Sequence, residues 1–357
     1  MSGEESFDVC VVGGGLVGLG VARAIAERFD GVSIVVLEKE QALARHQSSH
    51  NSGVVHSGLY YRPGSLKARL CVEGREAIEA MAESTGIPYR RTGKLVVATD
   101  QSEIPALDEL ERRGRANGLT RLRRLAPGEI AEVEPAAVGV SALWVGDAGV
   151  VDFSAIADRH ARVLETMGGR VITGSEVTAI THESPGVVVT AGDRRVRTRA
   201  LVNCAGLHSD LVARMAGSSP PVRIVPFRGE YYHLKGDSAG MVRGLIYPVP
   251  DPRLPFLGVH FTRRVEGTVE VGPNAILGLG REHYRGSPID WAELRSILAH
   301  PGFWRLARRY WRHGAAEMLH TRSARLYARL ARRLVPEITH ADLVPGGAGV
   351  RAQALDR

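Results

Sequence analysis

The feature that most constrains the fold of this chain is a glycine cluster directly after a short apolar segment. Residues 7–12 (FDVCVV) are typical of a buried strand, and the motif Gly13-x-Gly15-x-x-Gly18 follows at once. Apolar residues then recur with helical spacing over residues 16–28, and a second apolar segment, residues 32–37 (VSIVVL), ends at Glu38. This order of strand, glycine turn, helix and strand predicts a βαβ unit that binds a dinucleotide.

Each glycine of the motif has its own physical purpose. Gly13 allows the tight turn, Gly15 lets a pyrophosphate approach the backbone, and Gly18 lets the helix pack closely on the strand. The helix that opens at Leu16 and Val17 directs unpaired N–H groups and the positive end of its dipole toward the phosphates. We therefore expect these five residues to form the phosphate site.

The acidic residue that ends the second strand predicts the adenosine side of the site. Glu38 lies 20 residues past Gly18, where a carboxylate accepts hydrogen bonds from the ribose hydroxyls. We assign the neighbouring Lys39 to the same site.

Three later segments favour a flavin over a nicotinamide dinucleotide. Residues 48–58 form a polar loop suited to an extended cofactor, residues 174–181 (GSEVTAIT) bring backbone near an adenine, and residues 200–206 (ALVNCAG) end in small residues that a phosphate can approach. Each segment alone also fits an ordinary strand or turn, so the prediction depends on their order. The predicted contacts are Ser48, Ser49, Asn51, Ser52, Gly53, Val54, Val177, Cys204, Ala205 and Gly206.

The charge distribution argues against a nucleic-acid-binding protein. The net charge is +7, and residues 301–340 account for all of it with nine arginines and two glutamates. A neutral body with one cationic segment lacks the broad basic stripe that a phosphate backbone favours. No apolar run reaches the ~18 residues of a membrane span, and the acidic N-terminus resembles no signal or transit peptide. The three scattered cysteines lack metal-ligand spacing. We therefore expect a cytoplasmic protein without a metal.

The rest of the chain alternates short strands and helices without an internal repeat. The predicted helices are 65–85, 102–117, 154–167 and 208–216. The predicted strands are 94–99, 170–173, 176–181, 186–190, 200–204, 222–234, 244–249 and 258–272, and the chain up to residue 334 is then mostly helical.

Four longer segments give a more specific signal. They are residues 46–74 (HQSSHNSGVVHSGLYYRPGSLKARLCVEG), 226–234 (PFRGEYYHL), 247–275 (YPVPDPRLPFLGVHFTRRVEGTVEVGPNA) and 336–343 (PEITHADL). In these segments the chain resembles the L-2-hydroxyglutarate oxidase/dehydrogenase family of the D-amino-acid-oxidase superfamily. The resemblance implies FAD as cofactor, oxidation of L-2-hydroxyglutarate to 2-oxoglutarate by hydride transfer to flavin N5, and oxygen or a quinone as the final electron acceptor.

The resemblance also implies the domain organisation. We expect an α/β fold with a Rossmann-type FAD-binding domain assembled from discontinuous segments, and a mixed-sheet substrate domain with helices. The expected boundaries are 1–90, 145–218 and 340–357 for the FAD-binding domain, and 91–144 and 219–339 for the substrate domain.

A 2-hydroxy-dicarboxylate requires a base for its hydroxyl proton. His260 lies in residues 257–263, a segment that lines the substrate cavity in the resembling superfamily, and is our first choice; a structural histidine is the alternative. His56, in the loop expected beside the flavin ring, is the rival base or a cofactor contact.

The two carboxylates of such a substrate require cations, and arginine binds a carboxylate with two hydrogen bonds. Arg351, in residues 346–351 (GGAGVR), resembles the superfamily arginine that faces the substrate carboxylate. Arg228 is the second candidate, with Tyr232 as a hydroxyl donor. Asn274 and Arg281 are further candidate cavity residues.

The cationic segment 301–335 has two interpretations. Trp304, Ala307, Trp311, Ala315 and Met318 follow one helical face with arginines on the other side, and residues 323–334 repeat the pattern with leucines. The first interpretation is a pair of amphipathic helices packed on the body with a solvated basic face. The second is an anchor on anionic lipid, suited to electron delivery to a quinone at the cytoplasmic face of the inner membrane.

Two other functions stay open from sequence alone. One is an amine or amino-acid oxidase on the same scaffold. The other is a truncated, inactive dinucleotide-binding protein, because members of the resembling family continue past the segment that ends here at Arg357. We expect the strand and helix that follow in those proteins to be missing.

Overall fold

The computed structural model describes residues 4–251, 257–284 and 288–356 of the chain. Two sequence predictions fall partly outside them, namely residues 252–256 of the resembling segment and residues 285–287 of the stretch expected to be mostly helical. The described residues form two large β-sheets, a small three-stranded sheet and nine α-helices, which confirms the predicted α/β class.

The described helices are α1 (Leu16–Arg28), α2 (Leu66–Thr85), α3 (Ile104–Ala116), α4 (Pro127–Val133), α5 (Phe153–Thr166), α6 (Ser209–Met215), α7 (Trp291–Leu298), α8 (Pro301–Arg322) and α9 (Ala324–Ala331). The described strands are β1 (Glu5–Val12), β2 (Ile34–Leu37), β3 (Val54–Val55), β4 (Tyr89–Arg90), β5 (Lys94–Ala98), β6 (Leu122–Leu125), β7 (Ser141–Val145), β8 (Gly149–Val151), β9 (Arg170–Ile172), β10 (Val177–His182), β11 (Val187–Ala191), β12 (Arg194–Asn203), β13 (Val222–Leu234), β14 (Leu245–Pro248), β15 (His260–Arg263), β16 (Val269–Gly272), β17 (Ile276–Leu277) and β18 (Leu343–Asp356).

The first sheet contains the predicted βαβ unit. Its strand order is β10-β11-β12-β1-β2-β9, and β1 runs parallel to both β12 and β2. Side chains of β1 alternate between two cores, with Val9 and Val11 packed under α1 and α5, and Cys10 and Val12 packed on the opposite face. Because both faces of β1 are covered over residues 9–12, this half of the strand is apolar without interruption.

The second sheet has the order β17-β13-β16-β15-β14-β5-β7-β6, with β18 added on β13. The predicted strand 258–272 is two strands, β15 and β16, because residues 264–268 form a turn in which Gly267 has φ 100°. One face of this sheet packs on α9 through an apolar core; its members include Leu95, Val97, Ile246, Phe261, Val271, Tyr327 and Ala331. The opposite face has polar side chains, which are described with the site.

Strand β18 is not among the strands predicted from the sequence. Its 14 residues pair antiparallel with β13 along nearly the whole of both strands, with a bulge opposite residues 230–232. Glycine has low strand propensity, so the pairing with β13 stabilises the extended conformation of this glycine-rich segment. We expected residues 340–357 beside the FAD-binding segments; by hydrogen bonding, residues 343–356 join the second sheet.

Helices α8 and α9 differ in how they present the cationic segment. In α9, Arg325 and Arg329 are exposed and the helix packs on the body, as the amphipathic interpretation predicted. The buried residues are Tyr327, Ala328 and Ala331, whereas the predicted Leu326 and Leu330 are only half-buried. In α8 the apolar stripe is turned outward instead. Its exposed members are Trp304, Trp311, Ala315 and Met318, with Ala307 half-buried.

The packed-helix interpretation therefore holds for α9 and is wrong for α8. None of the described helices is both long enough and apolar enough to cross a membrane.

Candidate active site

A cavity of about 570 Å³ opens at the carboxyl ends of β1, β2 and β12. This edge of a parallel sheet is where dinucleotides bind in Rossmann-type folds. The lining includes Gly13, Gly15, Leu16, Val17, Glu38, Lys39, Ser48, Val177, Cys204, Ala205 and Gly206. The βαβ unit and three separate later segments therefore converge on one cavity.

The glycine turn has no room for side chains. Gly13 has φ 110°, and a Cβ on it would lie 2.4 Å from the carbonyl oxygen of Cys204. A Cβ on Gly18 would lie 1.9 Å from the carbonyl oxygen of Gly13, so Gly18 closes α1 onto the turn and does not line the cavity. Both positions therefore require glycine for steric reasons.

The N-terminus of α1 faces the cavity as an open site for an anion. Gly15 caps the helix without a side-chain acceptor, and the first turn contains no acidic residue. The N–H of Leu16 donates to Ser48 Oγ at 3.0 Å, which fixes the following loop beside the turn. A phosphate fits here because the helix dipole and free N–H groups are not neutralised by the protein.

Glu38 is buried at the wall of the cavity. Its Oε2 accepts from the N–H of Gly14 at 2.7 Å and its Oε1 accepts from the N–H of Glu40 at 2.9 Å. These bonds fix the carboxylate in one orientation while leaving lone pairs for a ligand hydroxyl. The residues present thus fit an adenosine diphosphate group.

Lys39 takes part in an ion-pair cluster near the cavity. Its Nζ lies 2.5 Å from Glu40 and 2.6 Å from Glu282, and although burial opposes charge, these carboxylates raise the pKa of Lys39. Glu40, His46 and Glu282 have metal-ligand spacing. The ammonium of Lys39 already forms ion pairs with both glutamates, so we do not infer a metal site from this cluster.

The loop after β2 is held in shape by hydrogen bonds from one of its side chains, that of Asn51. The amide of Asn51 donates to the carbonyls of Gln47 and Ser48 at 3.0 and 2.8 Å and accepts from the N–H of Gly53 at 2.8 Å. Val54 then enters β3, which pairs with β8. The predicted contacts Ser49, Asn51, Ser52, Gly53 and Val54 lie along this loop, beyond the lining of the cavity.

The second sheet contacts the same loop from the other side. Arg264 donates to the carbonyl of Asn51 at 2.7 Å and pairs with Glu270 at 3.1 Å. On β18, a Cβ on Gly349 would lie 2.6 Å from the carbonyl oxygen of His50. The glycine-rich segment therefore lets β18 approach the loop closely.

A polar face of the second sheet lies next to the loop. Paired residues in neighbouring strands share a face, and the register places five polar side chains together: Lys94, Tyr247, His260, Thr262 and Glu270. Buried atoms of three of them, Lys94 Nζ, Thr262 Oγ1 and Glu270 Oε2, have no hydrogen-bond partner among the described residues. Such unsatisfied groups are costly, so this face is suited to a polar ligand.

His260 is buried on this face in a defined tautomer. Its Nδ1 lies 2.9 Å from the carbonyl oxygen of Gly258, which can only accept, so Nδ1 carries the proton and Nε2 is free to accept one. Its ring stacks on Tyr247 with centroids 3.9 Å apart. Burial lowers the pKa of His260 to about 4, despite the opposing hydrogen bond to Gly258, and the charge of Lys94 lowers it further. The imidazole is therefore neutral at pH 7.

His56 lies across from this face in the loop. The residue has exposed surface although many protein atoms surround its ring. Burial lowers the pKa of His56 to about 3, and the charges of Lys94 and His260 contribute. The two histidines predicted as alternative bases are thus electrostatically coupled, and both are neutral at pH 7.

Arg351 and Arg228 lie on opposite faces of the sheet. Arg351 follows Gly349 on the loop side, where its charge lowers the pKa of Tyr61, which burial otherwise raises. Arg228 instead forms an ion pair with Glu230 and lies near the Tyr284 carbonyl at 3.5 Å.

Tyr232 shares the face of Arg228. It packs into the core with its ring 4.7 Å from Tyr327. The structure therefore does not bring Arg228 or Tyr232 to His260. Because side chains alternate along β13, the neighbour Tyr231 has the loop-side position, where burial and Glu270 raise its pKa.

Asn274 and Arg281 have structural partners instead of cavity positions. Asn274 accepts from the N–H of Glu230 at 2.7 Å and donates to Thr321. Arg281 is buried and pairs with Asp210 at 2.5 Å and Glu293 at 3.1 Å, which ties α6 to α7.

Sequence reasoning missed Lys94 as a member of the polar face. The available signal was compositional: the chain has four lysines, and this one opens an otherwise apolar strand, KLVVA. A lysine is rarely buried without a partner, and at this position its side chain is fully buried.

Comparison with known proteins agrees with this geometry. The family described as FAD dependent oxidoreductase matches residues 8–357. The L-2-hydroxyglutarate dehydrogenase of Indibacter alkaliphilus is 44% identical, over 98% of this chain and 88% of that protein. The mitochondrial L-2-hydroxyglutarate dehydrogenase of Homo sapiens is 43% identical, over 99% of this chain and 79% of that protein.

Among solved structures, L-alpha-glycerophosphate oxidase from Mycoplasma pneumoniae with FAD bound has the same fold. It superposes with a TM-score of 0.80 at 21% identity, over 98% of this chain and 84% of that chain. Together with the cavity and the glycine turn, these similarities show that the chain belongs to the FAD-dependent oxidoreductases and, among them, to the L-2-hydroxyglutarate dehydrogenase family.

Proposed function

We propose that this protein oxidises L-2-hydroxyglutarate to 2-oxoglutarate with FAD as cofactor. The names and identities of the relatives support this reaction. The observation that carries the proposal is His260, a buried neutral imidazole whose Nδ1 is bonded to the Gly258 carbonyl and whose Nε2 has no hydrogen-bond partner among the described residues. A secondary alcohol needs such a proton acceptor when its C–H bond is cleaved as hydride.

The FAD would be held mainly by the first sheet. Gly13, Gly15 and the N-terminus of α1 would bind the pyrophosphate, and Glu38 would bind the ribose. The loop fixed by Asn51 would extend along the flavin side. Bound FAD supplies the two-electron acceptor for the substrate hydride.

The substrate would lie between the loop and the polar face of the second sheet. His260 Nε2 would accept the hydroxyl proton, with His56 as the rival acceptor on the opposite wall. Arg351, on the loop side of β18, would bind the carboxylate next to the reacting carbon. Packing of the loop against β15, β16 and β18 would exclude water from this site.

The decisive experiment follows flavin absorbance after anaerobic addition of L-2-hydroxyglutarate to the FAD-loaded protein. Bleaching by the L-enantiomer, with no bleaching by the D-enantiomer, is the expected result. No bleaching by either enantiomer would reject the proposed substrate. Faster bleaching by glycine or sarcosine would favour an amine oxidase instead.

We also propose that electrons pass to a quinone at an anionic membrane surface, with α8 in contact with the lipid. Trp304 and Trp311 are more than half exposed on α8. Four exposed arginines lie on or beside the same face: Arg305, Arg308, Arg309 and Arg312. Exposed tryptophans among arginines are typical of a helix that lies in the lipid interface.

The location consistent with this proposal is the cytoplasmic face of the inner membrane. All three cysteines are unpaired thiols, as in a reducing compartment. Oxygen as the acceptor would be indicated if flavin reoxidation were fast in air and unchanged by a soluble quinone analogue.

A further inference from the structure

Four hydroxyl or ammonium groups near the loop and the polar sheet face are buried without a partner among the described residues. They belong to Ser57, Tyr60, Lys94 and Thr262. Each is a hydrogen-bond donor, and an ammonium has no acceptor capacity at all. The same face has one unsatisfied acceptor, Glu270 Oε2, but the unsatisfied donors outnumber it. The region is therefore suited to a further acceptor, and the strongest acceptor for such donors is a carboxylate.

Lys94 is the charged member of this set. Its side chain is fully buried at the start of β5, and its Nζ lies 4.3 Å from the ring centre of Tyr60 and 5.2 Å from that of Tyr247. Two aromatic faces partly replace hydration of the ammonium, but neither accepts a conventional hydrogen bond. An unpaired charge at this depth is costly and needs an explanation other than stability.

The position of Lys94 relative to His260 matches the length of the proposed substrate. Their strands are separated only by β14, which carries Tyr247, and two strand spacings amount to about 10 Å between backbones. The long lysine side chain shortens that separation. A five-carbon acid with its hydroxyl at His260 would therefore extend its far end toward Lys94.

We propose that Lys94 and Tyr60 bind the distal carboxylate of the substrate and so select a dicarboxylate over a monocarboxylate. This inference rests on the proposed function for the identity of the substrate. The ring of Tyr60 covers Nζ, so the carboxylate binds as Tyr60 moves aside. Tyr60 lies between β3 and α2, is only half-buried as a residue, and forms no hydrogen bond through Oη among the described residues.

The titration of Lys94 gives a direct signature of this contact. Burial lowers the pKa of Lys94 to about 7, opposed only by Cys71. The titratable groups that face it are His56 and Tyr60 from the loop, Cys71 from α2, Tyr247 from β14 and His260 from β15. At pH 8, without a bound carboxylate, most of the Lys94 side chain is therefore the neutral amine. Binding of a carboxylate restores its charge, so the complex must take up a proton.

The test uses glutarate and pentanoate, which have the same chain length but differ by one carboxylate. Binding to the FAD-loaded protein is measured by titration calorimetry at pH 8 in two buffers of different ionisation enthalpy. Wild type should take up close to one proton with glutarate and none with pentanoate. Lys94→Met should weaken glutarate roughly ten- to a hundredfold, leave pentanoate unchanged and abolish proton uptake.

Further variants distinguish loss of the positive charge at Lys94 from a general loss of structure. Lys94→Arg should keep glutarate binding without proton uptake, and Tyr60→Phe should weaken glutarate alone. The matched control is Lys67→Met, because Lys67 also lies over a tyrosine, 4.9 Å from the Tyr61 ring, but is exposed. Unchanged glutarate affinity in Lys94→Met, or equal loss for both acids, would overturn the proposal.

The two proposals fail separately. If the wild type binds glutarate with Lys94-dependent proton uptake but its flavin is not reduced by L-2-hydroxyglutarate, the substrate assignment is wrong and the carboxylate site stands. If L-2-hydroxyglutarate reduces the flavin equally well in Lys94→Met, the reaction stands and the role of Lys94 is rejected.

Discussion

The imidazole of His260 lies almost parallel to the ring of Tyr247, with the ring centres 3.9 Å apart and the planes inclined by 22°. Together with the bond from Nδ1 to the Gly258 carbonyl, this stacking leaves Nε2 as the one ring nitrogen able to accept a proton. The orientation of the proposed base is thus set by two neighbours that take no part in chemistry.

Replacing His260 with Asn should slow flavin reduction by L-2-hydroxyglutarate roughly 10²- to 10⁴-fold, because asparagine cannot accept the hydroxyl proton. Stopped-flow absorbance measures this rate, and the FAD content of the variant should equal that of wild type. His182→Asn is the control, since His182 also bonds a backbone carbonyl at 2.9 Å but is exposed on β10. A near-normal rate of flavin reduction in His260→Asn would indicate that His56 is the base.

Two glycines of α1 offer a matched stability test. Gly18→Ala should lower the free energy of unfolding by roughly 2–3 kcal/mol and release FAD, because the new Cβ would meet the Gly13 carbonyl at 1.9 Å. A Cβ added at Gly20 would meet no atom within 4 Å, so Gly20→Ala should gain about 0.5–1 kcal/mol through helix propensity. Urea denaturation of both variants checks the signs. Equal stability of the two would contradict the close helix–strand packing.

Lys94 should make the stability of the protein depend on pH above neutrality. Its folded-state pKa of about 7 lies below the ordinary 10.5, so the unfolded chain binds more protons between those values. Stability from this group therefore rises with pH from about 7 to about 10. Lys94→Met should be more stable than wild type at pH 7, and the difference should narrow by pH 9.5.

Thermal unfolding of both proteins across this pH range measures the difference. A constant gap between the two melting temperatures would mean that Lys94 titrates normally.

The two arginines first considered for the carboxylate should behave differently. Arg351→Gln should weaken binding of L-2-hydroxyglutarate roughly tenfold or more, because a charged hydrogen bond is lost. Arg228→Gln should instead lower the free energy of unfolding, since it leaves the half-buried Glu230 without its partner. Kd values from flavin spectral titration and urea midpoints separate the two outcomes. Weaker substrate binding in Arg228→Gln, with only a loss of stability in Arg351→Gln, would instead indicate that Arg228 binds the carboxylate.

Helix α8 should bind anionic vesicles in a salt-sensitive manner. Co-sedimentation with phosphatidylglycerol vesicles should fall strongly in the double variant Arg308→Gln/Arg312→Gln and in Trp304→Ala/Trp311→Ala. The control Arg325→Gln/Arg329→Gln removes the same charge from α9, whose apolar face is packed. Equal loss in the control would indicate a diffuse charge effect, and no binding of wild type at low salt would reject the lipid surface.

Sequence patterns predicted the nucleotide-binding half well because its requirements are local. Gly13 and Gly18 are needed for contacts within a single βαβ unit, and Glu38 follows directly from the end of β2. The long loop after Glu38 was also recognisable, although the role of Asn51 in closing it depends on bonds made within the folded loop.

The substrate side depended on which face of a strand meets which partner. Arg228 and Tyr232 were expected at the substrate, but the pairing of Tyr232 with Val271 turns their shared face of β13 toward the α9 core. A shift of one residue exchanges the two faces, so Tyr231 lies on the loop side. No local pattern distinguishes these neighbouring tyrosines.

What the sequence by itself determined is therefore the βαβ unit and its dinucleotide site, since glycine sterics, helix dipoles and strand-end carboxylates act over short stretches of chain. The resemblance of four longer segments added the family and FAD. Only the tertiary structure decided which side chains share the polar face of the second sheet and that β18 pairs with β13. It also decided that the tryptophans of α8 point outward and that Lys94 is buried. Those features arise from contacts between residues far apart in the chain, and their energies depend on burial and register, which no single segment contains.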